Sequence, residues 1–182
     1  GVGPCQARCF SDKFCCISLG APSGLMAVGG YEGSSGGTLA EHWNCNNLTY
    51  VTTPNGAPST WNELFSVSAL ASNDVWAVGS TNGFGGTDAA PVTIHWNGTA
   101  WALVPSPSIN GNGMLRGVSA LASNDVWAVG TYLDGSTTRA MALHWAGTVW
   151  SVSPLPAFPA DSARYRVSAR PPNGAWRLTR TP

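Results

Sequence analysis

One segment of thirteen residues occurs twice in this chain without a single change. Val-Ser-Ala-Leu-Ala-Ser-Asn-Asp-Val-Trp-Ala-Val-Gly fills residues 67–79 and returns, 51 positions later, at residues 118–130. Each copy is followed by a loop and then by a His-Trp pair and a Gly-Thr-x-Trp segment, at residues 95–101 and 144–150. A looser copy precedes them, and a fourth begins at Val167. Such a repeat predicts units that stack on one another, because one unit alone cannot bury both of its faces.

Within each unit the apolar residues follow the pattern of short strands. In the second unit we predict four strands, and their residues are 65–70, 75–80, 92–96 and 101–104. The first two strands of the units are joined by turn residues of the types that tolerate the positive φ of a tight hairpin. These turns are Ser23-Gly24, Asn73-Asp74, Asn124-Asp125 and Asn173-Gly174. No segment has a helical period, so we expect an all-β fold.

Four antiparallel strands in a unit of about 50 residues are typical of a β-propeller blade. The sequence therefore predicts a β-propeller-like fold with three full blades and a partial fourth. We expect the Trp that recurs in each unit, with Met in the first, to pack between the blades. These residues are Met26, Trp76, Trp127 and Trp176. The predicted division is a Cys-rich segment at 1–16, repeats at about 17–66, 67–117 and 118–163, and an Arg-rich partial repeat at 164–182.

The Asp-Val-Trp-Ala-Val-Gly and His-Trp-Asn-Gly-Thr-x-Trp segments resemble the repeats of Kelch-like and tectonin-like β-propellers. They also resemble repeats that are common in secreted bacterial proteins. The resemblance covers residues 17–176, and the fourth unit departs from it, with Ala-Trp-Arg-Leu-Thr where Val-Trp-Ala-Val-Gly is expected. It implies the propeller fold. Because such families include lectins, adhesion modules and enzyme scaffolds, it carries no catalytic residue over to this chain.

The cysteines indicate disulfides and an oxidising location. The chain has five of them, Cys5, Cys9, Cys15, Cys16 and Cys45. Their spacing matches no common zinc pattern, so we expect disulfides rather than a metal site. The single lysine, the abundance of Trp, Ser and Thr, and the glycine at position 1 favour a secreted or cell-surface protein. An odd number leaves one thiol either free or bonded to another chain.

Charge is scarce and unevenly distributed. Charged residues make up 10 % of the chain, against roughly 25 % in an ordinary soluble domain. A net charge of zero argues against general binding of nucleic acid or anionic membranes, and no apolar run is long enough to span a bilayer. Residues 164–182 contain no acidic residue and five arginines, Arg164, Arg166, Arg170, Arg177 and Arg180. This segment either packs on its own acidic body or docks on a neighbouring copy.

The sequence offers no catalytic, cofactor or metal site that we would assign. The three histidines occupy one repeat position, which favours a structural role, and they are His42, His95 and His144. Asp74 and Asp125 are replaced by Gly24 and Gly174 in the other units. A turn tolerates the replacement of aspartate by glycine, whereas a metal site would lose a ligand. No nucleophile-elbow, phosphate-loop or zinc-protease motif is present. The acids left for a glycosidase-like carboxylate pair are Glu32, Glu41, Glu63 and Asp88.

Two sequons and three variable loops are candidate surface sites. Asn47 and Asn97 begin Asn-x-Thr sequons in the turn before a fourth strand, where the same residues are also good turn formers. The loops at 30–38, 80–91 and 131–138 vary between units, and binding usually depends on such loops over a constant frame. Their aromatic residues, which suit sugar rings or a neighbouring subunit, are Tyr31, Phe84 and Tyr132.

The partial fourth unit leaves two ways to close a propeller. Either the N-terminal segment supplies a strand and completes a four-bladed ring, or a second copy completes the open blade and gives a ring or a filament. We therefore predict a non-catalytic extracellular module that acts by self-association in a structural or adhesive role. The alternatives are a carbohydrate-binding lectin and, third, a glycan-active enzyme on a propeller scaffold.

Overall fold

The computed structural model describes residues 14–19, 25–31, 36–43, 47–57, 61–82, 88–109, 112–155, 165–170 and 175–180. For the strands at 14–19, 165–170 and 175–180 it gives the backbone pairing. All regular structure in these ranges is β-strand. None of these residues belongs to a helix that could cross a membrane.

The strands form three sheets of four and one hairpin. Blade 1 contains β1 (Phe14–Leu19), β2 (Leu25–Tyr31), β3 (Gly37–Trp43) and β4 (Leu48–Val51). Blade 2 contains β5 (Asn62–Ala71), β6 (Asp74–Thr81), β7 (Pro91–Trp96) and β8 (Trp101–Leu103). Blade 3 contains β9 (Gly113–Ala122), β10 (Asp125–Asp134), β11 (Thr137–Trp145) and β12 (Trp150–Ser153). The hairpin consists of β13 (Tyr165–Arg170) and β14 (Ala175–Arg180).

Each sheet is an antiparallel meander in which strands that follow each other along the chain are paired. The first strands β1, β5 and β9 lie against the neighbouring blades, while β4, β8 and β12 form the outer edges. The hairpin follows the same order, with β13 beside β9 and β10. This is the blade arrangement of a β-propeller, and the predicted fold is confirmed. Blade 2 begins at residue 62 and blade 3 at residue 113, each five residues before the predicted start of its repeat, at 67 and 118.

Two apolar cores lie between successive blades. Along a strand between them, successive residues pack alternately into one core and the other. We call the side of a blade that faces the preceding blade its leading face, and the other side its trailing face. On β6, Val75 and Ala77 belong to the core with blade 1, whereas Trp76 and Val78 belong to the core with blade 3. The period of two in a strand therefore builds both interfaces from one repeated sequence.

The Trp or Met that recurs in each unit was predicted to pack between the blades. It does so at the interface of blades 1 and 2 and at that of blades 2 and 3. Trp76 is 2 % exposed and lies in the core with Val126, Leu143 and Trp150 of blade 3. Met26, at the same position in blade 1, is buried in the core with blade 2. The side chain of Trp176 lies outside the described part of the chain.

A β-bulge recurs in the first strand of every blade. In β5, Leu64 pairs with Gly79 and Ser66 pairs with Val78, so that Phe65 is the extra residue. The same shift leaves Arg116 as the extra residue in β9 and Cys15 in β1. The bulge brings the first strand onto the second, and a Cβ built on Gly79 would lie 1.8 Å from the carbonyl oxygen of Glu63. The glycine that ends each Val-Trp-Ala-Val-Gly segment is therefore required by backbone contact.

The hairpin turns predicted in blades 2 and 3 are displaced by one residue, and their residues do not have the positive φ that we expected. The turns predicted at 23–24 and 173–174 lie outside the described residues. Ser72-Asn73 forms the turn, and Asp74 is already the first residue of β6. Among the described non-glycine residues only Asn82 has a positive φ, of 56°. A second bulge, between Ala69 and Ala71, supplies the local twist, so the turn needs no left-handed residue. The described glycines with a positive φ are Gly36, Gly98, Gly135 and Gly147, and Gly98 and Gly147 share a φ of 95° at the same position of their blades.

The fourth unit pairs in a different register from the other blades. Ser168 stands opposite Arg177, whereas Ser68 stands opposite Trp76 in blade 2. A shift of one residue moves the side chains of one strand to the other face of the sheet. The backbone pairing of the hairpin therefore does not repeat that of blades 1, 2 and 3.

Candidate functional site

At the end of blade 2 that carries the β5–β6 turn, one aspartate joins two blades. The Oδ1 atom of Asp74 lies 2.9 Å from His95 Nε2, and its Oδ2 accepts a hydrogen bond of 2.7 Å from the Ser123 hydroxyl of blade 3. In blade 3, Asp125 Oδ1 lies 2.8 Å from His144 Nε2. The carboxylate stands between the serine and the histidine, so these residues do not have the Ser-His-Asp order that activates a nucleophile.

In blades 2 and 3, the Trp of the His-Trp pair contacts the turn between the first two strands of its own blade. The indole N–H of Trp96 donates to the carbonyl oxygen of Ser72 at 3.1 Å, and that of Trp145 donates to Ser123 at the same distance. The His95 ring lies 4.5 Å from the Trp76 ring. These contacts give His95 and His144 a role in packing and hydrogen bonding. They also explain Asp74, whose side-chain contacts the sequence did not predict because glycine replaces it in the outer units.

The inter-blade aromatic cluster is built around Trp76. Its ring centroid lies 4.9 Å from that of Trp145 and 5.3 Å from that of Trp150, the second in an edge-on arrangement. Trp145 and Trp150 are 5.9 Å apart. Trp127, the counterpart of Trp76 in blade 3, stacks on His144 at 4.1 Å and is partly exposed. The cluster therefore joins the trailing face of one blade to the leading face of the next.

A second group of polar and aromatic residues lies at the opposite end of the first strands. The guanidinium carbon of Arg116 lies 5.7 Å above the centre of the Phe65 ring. Burial raises the pKa of Glu63, and the positive charge of Arg116 opposes that rise. Burial lowers the pKa of Arg116, and Glu63 opposes that change in turn. Glu63 and Arg116 therefore lie close enough for the charge of each to act on the other.

Trp61 extends this group. It precedes β5, and its side chain is 41 % exposed. Asn62 beside it is fully buried, and the Asn62 amide binds the preceding loop by accepting from Gly56 N at 2.9 Å and donating to Ala57 O at 2.8 Å. Trp61 and Glu63, two residues apart, therefore lie on the same, accessible side of the strand. Within the group of Trp61, Glu63, Phe65 and Arg116, the sequence analysis singled out only Glu63. The alternation of apolar and polar residues along the strand breaks at Phe65, and this break was the available signal for the other residues.

Of the ten cysteines and arginines that the sequence analysis singled out, four lie outside the described residues and six lie on strands whose backbone is described. Cys5, Cys9, Cys45 and Arg164 are outside these ranges, and so is Phe84. Cys15 and Cys16 lie on β1, Arg166 and Arg170 on β13, and Arg177 and Arg180 on β14. Disulfide pairing therefore stays a prediction. Within the described ranges no group of three His, Cys, Asp or Glu side chains is placed to hold a metal ion.

The other predicted surface residues are spread over the molecule. Asn47 and Asn97 are both exposed. The Asn97 side-chain oxygen accepts from Thr99 N at 2.9 Å and Ala100 N at 3.0 Å, which is turn chemistry; glycosylation stays a prediction. Tyr31 ends β2, and Tyr132 lies half-buried on β10.

Comparison with known proteins supports the fold alone. No protein-family model matches the sequence, and no curated protein matches it. Among solved structures, the chain is similar to a β-propeller described as YCF48 bound to D1 peptide, with a TM-score of 0.55 and 15 % sequence identity. The match covers 92 % of this chain and 54 % of the other, so the chain spans about half the length of that protein. The resemblance to Kelch and tectonin repeats stays a prediction, and the chain has a β-propeller fold.

Proposed function

We propose that this chain is a non-catalytic β-propeller module that associates head to tail with further copies of itself, outside the cell or on its surface. The observation that carries the proposal is Glu41. It occupies a position that is fully buried and apolar in the other two blades. We assign it the role of an acidic contact with the next copy.

The register of the third strands places Glu41 at the centre of an inter-blade face. Glu41 pairs with Ala27, as Ile94 pairs with Ala77 in blade 2 and Leu143 with Ala128 in blade 3. Ile94 and Leu143 have no exposed surface and pack against the preceding blade. The leading face of blade 1 therefore has the geometry of an inter-blade face with a carboxyl group at its centre.

Burial already raises the pKa of Glu41. A surface that covered it further would add to the cost of its charge unless that surface brought a cation. The surface that covers blade 1 is therefore expected to be basic, because an uncompensated buried charge is costly and a paired one is not.

The fourth unit of the chain offers such a surface. Residues 164–182 contain five arginines and no acidic residue, and Arg166, Arg170 and Arg177 belong to the strands of the hairpin. The rest of the chain is acidic, so opposite fields favour the approach of the hairpin of one copy to blade 1 of another. A contact between two different surfaces repeats in one direction, and gives a ring or a filament.

Charge reversal tests this pairing directly. We expect Glu41→Arg to weaken self-association by at least about tenfold, measured by light scattering over a dilution series at low salt. A second chain carries the opposite reversals, Arg166→Glu, Arg170→Glu and Arg177→Glu. When this chain is mixed one to one with the Glu41→Arg chain, we expect the two variants to assemble with each other. Asp88→Arg makes the same charge change in an exposed loop and is the matched control. Unchanged association of Glu41→Arg contradicts the proposal.

A further inference from the structure

One side of β5 and of the residue before it carries an aromatic ring, a carboxyl group and a second ring. Trp61 and Glu63 are two residues apart on the accessible side, with the buried Asn62 between them. Phe65, the extra residue of the bulge, follows in the same direction along the strand. Bulges re-aim side chains, and they are frequent beside binding sites.

Two glycines of blade 1 lie against Trp61 and Glu63. A Cβ on Gly36 would lie 2.8 Å from Trp61 Cδ2, and one on Gly30 would lie 3.0 Å from Glu63 Cγ. The indole and the carboxylate stem therefore lie directly on the backbone of blade 1. This packing restricts the two side chains before any ligand binds, which lowers the entropy cost of binding.

Blade 3 contributes the basic group. Arg116 is the bulge residue of β9, and its guanidinium lies 5.7 Å above the Phe65 ring centre. Glu63 and Arg116 influence each other's pKa. The row thus combines exposed aromatic surface with a hydrogen-bond acceptor and a planar donor, and it draws on three blades.

We propose that Trp61, Glu63, Phe65 and Arg116 form a binding site for a neutral sugar ring of a glycan. The apolar C–H face of the sugar lies on the Trp61 indole. Its hydroxyl groups donate to the Glu63 carboxylate and accept from the Arg116 guanidinium. The proposal goes beyond self-association and does not depend on it.

The charges of the site favour a neutral ligand over an ionic one. Arg116 attracts an anion but Glu63 repels it. Glu63 attracts a cation but Arg116 repels it. A polyhydroxyl ligand uses both groups without adding net charge to a partly buried place. Peptides with a free carboxylate and acidic sugars are therefore expected to bind more weakly than neutral sugars.

Saturation-transfer NMR on the full chain tests the proposal. The probes are the methyl glycosides of glucose, galactose, mannose, xylose and N-acetylglucosamine at millimolar concentration, with glucuronic acid and acetyl-glycine as the anionic comparison. We expect transfer to at least one neutral glycoside, a change in tryptophan fluorescence on titration, and weaker transfer to both anions. Absence of transfer to every neutral glycoside, or stronger transfer to the anions, overturns the proposal.

Variants separate the site from the fold. Trp61→Ala, Glu63→Gln and Arg116→Ala are each expected to weaken glycoside binding by about tenfold or more, the equivalent of ~1.4 kcal/mol. Tyr50→Ala removes an exposed aromatic ring at the outer edge, and Arg139→Ala an exposed arginine of the β10–β11 hairpin. Both controls are expected to bind as the parent does. Circular dichroism melts identify a variant that has lost the fold, and Glu63→Gln, which keeps the shape of the side chain, then decides the result.

Discussion

Gly79 and the carbonyl oxygen of Glu63 lie so close together that a Cβ at Gly79 would stand 1.8 Å from that oxygen. Gly130 and Met114 have the same relationship in blade 3, at 1.9 Å. The contact results from the bulge that brings the first strand of the blade onto the second. The glycine in the repeated segment is therefore a condition of the blade's geometry.

Gly79→Ala is expected to destabilise the protein by about 3 kcal/mol, because the backbone of β5 must move away from the new methyl group. Gly113→Ala is the matched control, since a Cβ there meets the Met141 side chain at 3.4 Å, an ordinary contact. Urea denaturation followed by tryptophan fluorescence measures both. Equal stability of the two variants would show that the bulge adjusts at little cost.

The two Asp–His pairs are expected to differ in their contribution to stability. Asp74 accepts from Ser123 as well as facing His95, and its side chain is 17 % exposed, against 41 % for Asp125. Asp74→Ala removes acceptors from two partners and is expected to cost about 2 kcal/mol, and Asp125→Ala less than about 1 kcal/mol. The two unfolding midpoints compare them. A larger loss for Asp125→Ala would contradict this ranking.

Trp76→Ala is expected to be among the most damaging substitutions in the chain. It removes a buried ring that contacts Trp145 and Trp150 of the next blade, and cavities of this kind cost about 3–5 kcal/mol. Trp127→Ala, at the same position of blade 3, is expected to cost less because Trp127 is partly exposed. Thermal unfolding of the two variants measures the difference. Identical losses would mean that the two interfaces are equally buried in solution.

Glu63 predicts a dependence of stability on pH. Burial raises its pKa in the folded protein above the unfolded value, so its protonated form is favoured on folding. Its contribution to stability is therefore fully present below the unfolded pKa and is lost as the pH rises through the folded pKa. Glu63→Gln is expected to be stabilised relative to the parent at about pH 7 and to lose that advantage near about pH 4. A pH-independent difference between the two melting curves would refute this assignment.

The sequence alone predicted the blades because its signals are local. Alternation around Val75 to Val78 and the repeated Trp76 position define strands and faces without knowledge of the neighbouring blade. The turn beside Asp74 was misplaced because a bulge at Leu70, which no local pattern marks, supplies the twist. The group around Trp61, Glu63 and Arg116 was not predicted, since Phe65 and Arg116, about 50 positions apart, come into contact only when blades 2 and 3 stack.

The measurement that tests the proposed function most directly is the native mass of the full chain. Light scattering over a wide range of protein concentration, at low and high salt and with and without reductant, gives that mass. We predict species larger than one chain at low salt that dissociate as salt screens the Glu41 and arginine contacts, because exposed charges are screened beyond about 10 Å in 0.1 M salt. A single-chain mass at every concentration and at low salt would contradict head-to-tail association.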